Sequence, residues 1–197
     1  MASKKKTAVF TFGRFNPPTI GHQKLLEKLN DIATELDGDK YVFVIFSKDK
    51  RKNPLDHYNK VSYMKEMFPI EMSGYKEPRK EVRTPLDAAL HLKDYQNIVV
   101  LAGSDRVENF TNLFNRYNRK EMKNGMYDFD TITVVSAGER DPSATGTAGM
   151  SGTKLREAVK SKDFEEFKKG MPPGYHGEIL FENLMTELKI KWIFYKN

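Results

Sequence analysis

The chain contains no cysteine. Disulfides, thiolate zinc sites and a cysteine nucleophile are therefore excluded, and the composition fits a reducing cytoplasm. Long apolar runs are missing too. The longest aromatic and aliphatic stretch is 41–46, far short of the ~20 residues a membrane-spanning helix needs. The lysines at 4–6 resemble the charged start of a signal peptide, but the apolar stretch 8–12 behind them ends before Arg14 and is too short for a signal core. The four histidines, at 22, 57, 91 and 176, show none of the HxxxH or HExxH spacings that bring two imidazoles onto one metal. No protein-held metal is expected. Internal repeats and low-complexity blocks are also lacking.

What is present is an ordinary globular composition, 39% hydrophobic over 197 residues, enough for one domain with a small appendage. Lysine and arginine number 33 against 27 acidic residues, a net charge of +6. Such an excess suits an anionic partner such as a nucleotide, a phosphorylated metabolite or a nucleic acid, and it equally suits a surface kept soluble by lysine. Charge alone does not choose.

The order of elements is more informative. Segment 6–12 (KTAVFTF) is a short apolar, β-forming run ended by Gly13 and predicts a buried strand. Leu25, Leu26, Leu29, Ile32, Ala33 and Leu36 recur at three- and four-residue spacing, one face of a helix stopped at Gly38. A second strand is predicted over 41–47, helices over 57–68 and from Pro85 to about 95, and a strand over 97–102. A helix from 105 to about 117 and a strand over 131–136 follow. Segment 137–150, rich in glycine, serine and threonine, reads as a loop, and Ser151 reads as the cap of a helix beginning at Thr153. Strands alternating with helices, the strands continuously apolar, predict an α/β, Rossmann-like, doubly wound parallel sheet over 1–172. Beyond Pro172-Pro173 a C-terminal extension, 173–197, is expected: a helix over 175–190 and then Trp192-Ile193-Phe194-Tyr195. These four large apolar residues are expected to dock on the body or on a second subunit, which leaves a homo-oligomer open.

Ligands of such sheets sit at the carboxyl ends of the strands, and two strings fall there. The first is Gly13-Arg14-Phe15-Asn16-Pro17-Pro18-Thr19-Ile20-Gly21-His22, between the first strand and the first helix. Gly13 permits a sharp turn off the strand tip, the helix start offers amides and a positive dipole end, and Arg14 adds a fork suited to phosphate. Gly21 leaves room for a close approach, and His22 in the first turn can point at the same spot. The second string is Met150-Ser151-Gly152-Thr153-Lys154-Leu155-Arg156, a helix start with two hydroxyls and an arginine one turn on. Read alone, Ser-Gly-Thr is a good helix cap. Paired with the first string, it reads as a second phosphate site.

Together these strings resemble the signatures of the nucleotidyltransferase superfamily related to class I aminoacyl-tRNA synthetases, G-x-F-x-P with H/T-x-G-H, and I-S-S/G-T-x-x-R. Gly13, Phe15, Pro17, Thr19, Gly21 and His22 match the first, with threonine in place of the family's first histidine. Asn53-Pro54-Leu55 and Gly103-Ser104-Asp105 resemble elements of the mononucleotide adenylyltransferase branch. Over roughly 7–172 the chain is similar to phage-encoded members of cytidylyltransferase-like type.

The resemblance implies attack by a phosphorylated small-molecule acceptor on the α-phosphorus of a nucleoside triphosphate, with release of pyrophosphate. It implies catalytic roles for His22, Thr19 and Arg156. It implies nucleotide contacts from Gly13, Arg14, Phe15, Asn16, Gly21, Ser151, Gly152 and Thr153, with Lys24 adding charge, and acceptor contacts from Gly103, Ser104, Asp105 and Arg140. The Mg²⁺ would arrive with the triphosphate. Transfer from ATP to nicotinamide mononucleotide is the expected reaction. The alternatives are a CTP-dependent cytidylyltransferase acting on a phospho-sugar or phospho-alcohol, and a nucleotide-binding module without catalysis. A nucleic-acid-binding reading rests only on Arg79, Lys80 and Arg83 and on Arg116, Arg119, Lys120 and Lys123, without an RNA-binding signature. A cytoplasmic location is expected.

Overall fold

A computed structural model of the chain describes residues 6–47, 49–76, 82–138 and 150–190. Four strands, β1 (Thr7–Gly13), β2 (Asp39–Val44), β3 (Asn97–Ala102) and β4 (Thr131–Ser136), form one sheet in the order β2-β1-β3-β4. Every pairing is parallel. The helices are α1 (Ile20–Glu35), α2 (His57–Met67), α3 (Pro85–His91), α4 (Val107–Tyr117), α5 (Gly152–Lys160), α6 (Phe164–Lys168) and α7 (Glu178–Glu187).

The alternation of side chains along each strand divides the interior into two layers. Val9, Val42, Val44, Val99 and Leu101 face one side, where Leu26 and Leu29 of α1, Met64 of α2, Leu155 of α5 and Leu180, Phe181, Leu184 and Met185 of α7 cover them. Ala8, Phe10, Tyr41, Phe43, Ile98 and Val100 face the other, against Ala88 and Ala89 of α3 and Phe110 and Phe114 of α4. Helices on both faces are why the central strands bury consecutive side chains rather than every second one, including Thr11, whose hydroxyl donates to the Leu101 carbonyl. Phe10, fully buried, meets Phe43 and Phe114 edge-on at 5.5 and 6.0 Å. Truncating such a ring costs ~3–5 kcal/mol. The chain leaves β1 toward β2 on one side and returns to β3 on the other, so strand order reverses between the tips of β1 and β3.

The doubly wound α/β fold read from the sequence is the one observed, with β3 and β4 at the expected residues. Elsewhere the boundaries moved. β2 begins at Asp39, paired with Ala8, and ends at Val44, because the Phe46 amide turns away to the Val82 carbonyl. A single tight turn, Ser104–Arg106, precedes α4. α6 was not anticipated. α7 starts late because Gly177, ahead of it, sits at φ +84, outside helical geometry. Segment 139–149, with Arg140, and the aromatic residues 192–195 lie outside the described residues, as do Arg79 and Lys80. No helix among the described residues is long and apolar enough to cross a membrane.

Candidate active site

The tips of β1 and β3 border a cleft of about 210 Å³. Its walls come from four places. The chain from the tip of β1 into the first turn of α1 supplies Gly13, Arg14, Phe15, Asn16 and His22, and the connection after β2 supplies Ile45 and Lys52. Gly103, Asp105, Arg106 and Phe110 line it after β3, and the start of α5 supplies Ser151, Gly152, Thr153 and Arg156.

The loop after β1 is built around Phe15. Its backbone stands at φ +46, a left-handed conformation that is costly for an aromatic residue, and its ring is buried. A Cβ on Gly13 would come within 2.8 Å of that ring, so only glycine fits there without a shift. The Phe15 ring also lies 4.8 Å from the His22 ring, tilted by 54°. Phe15 thus shapes the loop and supports the histidine.

His22 is held from the other side by Thr19, the residue preceding α1. The Thr19 amide donates to His22 Nδ1 at 2.9 Å, and the Thr19 hydroxyl is 3.0 Å from the same nitrogen. Accepting a main-chain N–H makes Nδ1 the unprotonated nitrogen of the neutral ring, so the proton sits on Nε2. Thr19 is 1% exposed and does not line the cleft. It stands behind the histidine. The start of α1 also offers fewer amides than its sequence promised: the Ile20 amide donates to Gly170 O at 2.8 Å and the His22 amide to Thr19 O at 2.8 Å. Gly21 is exposed, outside the cleft lining, and a Cβ there would meet only ordinary contacts at 3.5 Å.

The start of α5 differs. Ser151 caps it by accepting the Lys154 amide at 3.3 Å, and the N–H groups of Gly152 and Thr153 belong to the first turn, which has no intrahelical acceptor for them. Gly152 packs so tightly against the loop after β1 that a Cβ would stand 3.1 Å from Asn16 O and 3.3 Å from Pro17 O. Arg156 reaches back over this turn. Its Nη2 donates to Thr153 Oγ1 at 3.0 Å and its Nη1 to the Asn16 carbonyl at 2.5 Å. Burial, and then the charge of Arg14, hold the Arg156 pKa below the ordinary arginine value, against a smaller opposing pull from Glu157. Two guanidinium groups near enough to repel each other, beside a helix N-terminus, form a site that a polyanion would stabilise.

Asn16 is buried, and its side chain contacts Leu55 rather than open solvent. Beneath the connection after β2, buried Lys60 donates to Ile45 O at 2.5 Å, and burial brings its pKa down to about 8. On the β3 side, the Asp105 carboxylate folds back over Gly103, where a Cβ would be 2.7 Å from Oδ1. Ser104 is exposed and outside the lining. Of the basic cluster on the far side, Arg119 is paired with Asp128 at 2.6 Å.

The cleft therefore brings together Gly13, Arg14, Phe15, Asn16, His22, Ser151, Gly152, Thr153, Arg156, Gly103 and Asp105. It leaves Thr19, Gly21 and Ser104 outside its lining. Lys52, Arg106 and Phe110 line it without having been singled out. Lys52 adjoins the Asn53-Pro54-Leu55 tripeptide and Arg106 follows Gly103-Ser104-Asp105, so proximity to a matched tripeptide was the usable signal.

Comparison with known proteins agrees with this fold. The structure is similar to that of Plasmodium falciparum nicotinic acid mononucleotide adenylyltransferase complexed with NaAD, at 14% identity, covering 94% of this chain and 97% of that one, with a TM-score of 0.57. The same enzyme complexed with APC aligns with a TM-score of 0.54 at 14% identity, over 94% of this chain and 96% of that one. At this identity the likeness is one of fold. A search of curated proteins finds no match. Residues 10–158, which run from β1 into α5 and carry both motifs, match the sequence model of a family described as cytidylyltransferase-like. The chain belongs to the cytidylyltransferase-like family and is a nucleotidyltransferase.

Proposed function

We propose that this cleft transfers a nucleoside monophosphate from a nucleoside triphosphate to a phosphorylated small-molecule acceptor, and that the pair is ATP and nicotinamide mononucleotide. The carrying observation is the convergence of Arg14, Arg156 and His22 at the start of α5, between the tips of β1 and β3. A phosphate oxygen of the acceptor attacks the α-phosphorus. The bond from that phosphorus to the bridging oxygen breaks, and pyrophosphate leaves with the electron pair. An ionised acceptor needs no general base, so catalysis is positioning and charge neutralisation.

In this reading the Nε2–H of His22 donates to the α-phosphoryl group as charge shifts toward the leaving oxygen. Arg156 exchanges the Asn16 carbonyl for an oxygen of the departing pyrophosphate, which Thr153 and the α5 amides also hold. Arg14 and Lys52 add positive charge. The acceptor occupies the β3 side, near Gly103, Asp105 and Arg106. Mg²⁺ enters with the triphosphate and neutralises part of its charge. The choice of ATP and a pyridine mononucleotide draws support from Asn53-Pro54-Leu55 and Gly103-Ser104-Asp105, and from the adenylyltransferase that the fold resembles.

Pyrophosphate release from ATP, CTP, GTP and UTP, each offered nicotinamide mononucleotide, nicotinic acid mononucleotide and phospho-alcohols, tests the reading. NAD formed from ATP supports it. CTP-dependent turnover on a phospho-alcohol overturns the substrate choice and keeps nucleotidyl transfer. No turnover with any pair overturns the reaction.

A further inference from the structure

Asn16 uses both ends of its side chain on one residue 39 positions away. Its Nδ2 donates to the Leu55 carbonyl at 2.9 Å, and its Oδ1 accepts the Leu55 amide at 3.2 Å. Its main-chain carbonyl accepts from Arg156 at 2.5 Å and lies 3.1 Å from where a Cβ of Gly152 would be. The residue itself is 4% exposed. Three walls of the cleft therefore meet on it: the loop after β1, the connection that brings in Lys52, and the start of α5.

We infer that Asn16 is a positioning residue, a clasp that sets the wall carrying Lys52 and the resting seat of Arg156 and makes no nucleotide contact through its side chain. As a positioning role in transfer, this rests on the function proposed above. The requirement is geometric. Leu55 presents a donor and an acceptor, and an amide answers with an acceptor and a donor side by side. An ionised carboxylate can take the Leu55 N–H but turns a lone pair on the Leu55 carbonyl. A protonated carboxyl restores both bonds. Asn16→Asp is thus a clasp that closes only when protonated, in a buried position facing a carbonyl that favours the neutral form.

The other ionisable groups lining the cleft are Arg14 on the same loop, His22 on α1, Lys52 after β2, Asp105 and Arg106 after β3, and Arg156 on α5. All are present in the wild type, so their own titration largely cancels in a variant-to-wild-type ratio. The experiment measures kcat/KM for Asn16→Asp and wild type from pH 8 to pH 5.5. The ratio should be about thirtyfold below one at pH 8 and rise at least tenfold on acidification, the order expected from losing and regaining a buried hydrogen-bonded contact. A ratio flat with pH overturns the clasp.

Asn16→Ala keeps the test open if the carboxylate variant does not fold at pH 8. Its loss should fall on kcat, with the triphosphate Kd within ~threefold of wild type, because no direct ligand bond is removed. A Kd raised tenfold or more with kcat intact would make Asn16 a nucleotide ligand and overturn the inference. If the wild type transfers no nucleotide to any acceptor, the proposed reaction fails by itself. The clasp is then read from hydrogen exchange at the Leu55 amide, which should quicken ~tenfold or more in Asn16→Ala; unchanged exchange overturns it.

Discussion

Two helix starts face the same cleft, and they are used in opposite ways. α1 turns its polar groups inward: the amides of Thr19, Ile20 and His22 are engaged by His22 Nδ1, Gly170 O and Thr19 O. It is organised to fix one imidazole. α5 is used differently: its cap is local, its first-turn residues Gly152 and Thr153 line the cleft, and its arginine rests on a carbonyl and a hydroxyl. In the proposed reading it is the start that receives the charge of the triphosphate. A helix N-terminus is thus not one kind of site, and the difference lies in which atoms already occupy its first turn.

The sharpest way to break this contrast is at His22. His22→Ala should lower kcat/KM by ~10²-fold or more while the thermal midpoint stays near wild type, because the interaction removed is made mainly in the transition state. Wild-type turnover at saturating triphosphate would show that α1 does not present the catalytic group. At α5, Arg156→Ala should weaken triphosphate binding by ~10–100-fold, since a charged hydrogen bond is worth ~1.5–3 kcal/mol. Monophosphate binding should hardly change. Calorimetry with both ligands checks this, and equal losses for both would remove the pyrophosphate from α5.

Smaller effects sharpen the contrast. Gly152→Ala forces a Cβ against two carbonyls, 3.1 and 3.3 Å away, and should cost ~1–2 kcal/mol of stability. Gly21→Ala meets only ordinary contacts and should be neutral, or stabilising by up to ~1 kcal/mol. Denaturant titration of the pair separates them, and equal costs would mean that the two starts are packed alike. Smallest are the caps. Ser151→Ala and Thr19→Ala should each cost ~1 kcal/mol, but only Thr19→Ala should also reduce kcat, by several-fold, because its hydroxyl contacts His22 Nδ1. A kcat unchanged in Thr19→Ala would limit that threonine to capping.

Much of this was legible in the sequence, for reasons that differ by element. β3 carries the apolar run Ile98-Val99-Val100-Leu101-Ala102 between Asn97 and Gly103, β4 is β-branched from Thr131 to Val135, and pattern alone sets their limits. Both motifs could be placed because strand tips and helix starts are local features. The side-chain partner of Asn16 could not be read this way. In the string it reads as a nucleotide contact, and its side chain answers Leu55, a partnership made only when the chain folds. The contact of Thr19 was hidden for a related reason: a threonine before a helix reads as a hydroxyl for a ligand, and here it also contacts a side chain three residues on. Lys52 and Arg106 enter the cleft beside matched tripeptides, and Phe110 enters it by topology, with no local pattern to mark it.

The bond from the Ile20 amide to the Gly170 carbonyl carries a consequence for the order of assembly. All four strands precede residue 137, so the sheet can form while the last third of the chain is still being synthesised. The start of α1, which seats His22, waits for a carbonyl that emerges late, and Arg156 emerges late as well. A nascent chain would therefore have a layered body before it has a working cleft. A chain ending ahead of α5 could bury Phe10 and Val100 and still lack Ser151, Gly152, Thr153 and Arg156, the whole α5 wall of the cleft.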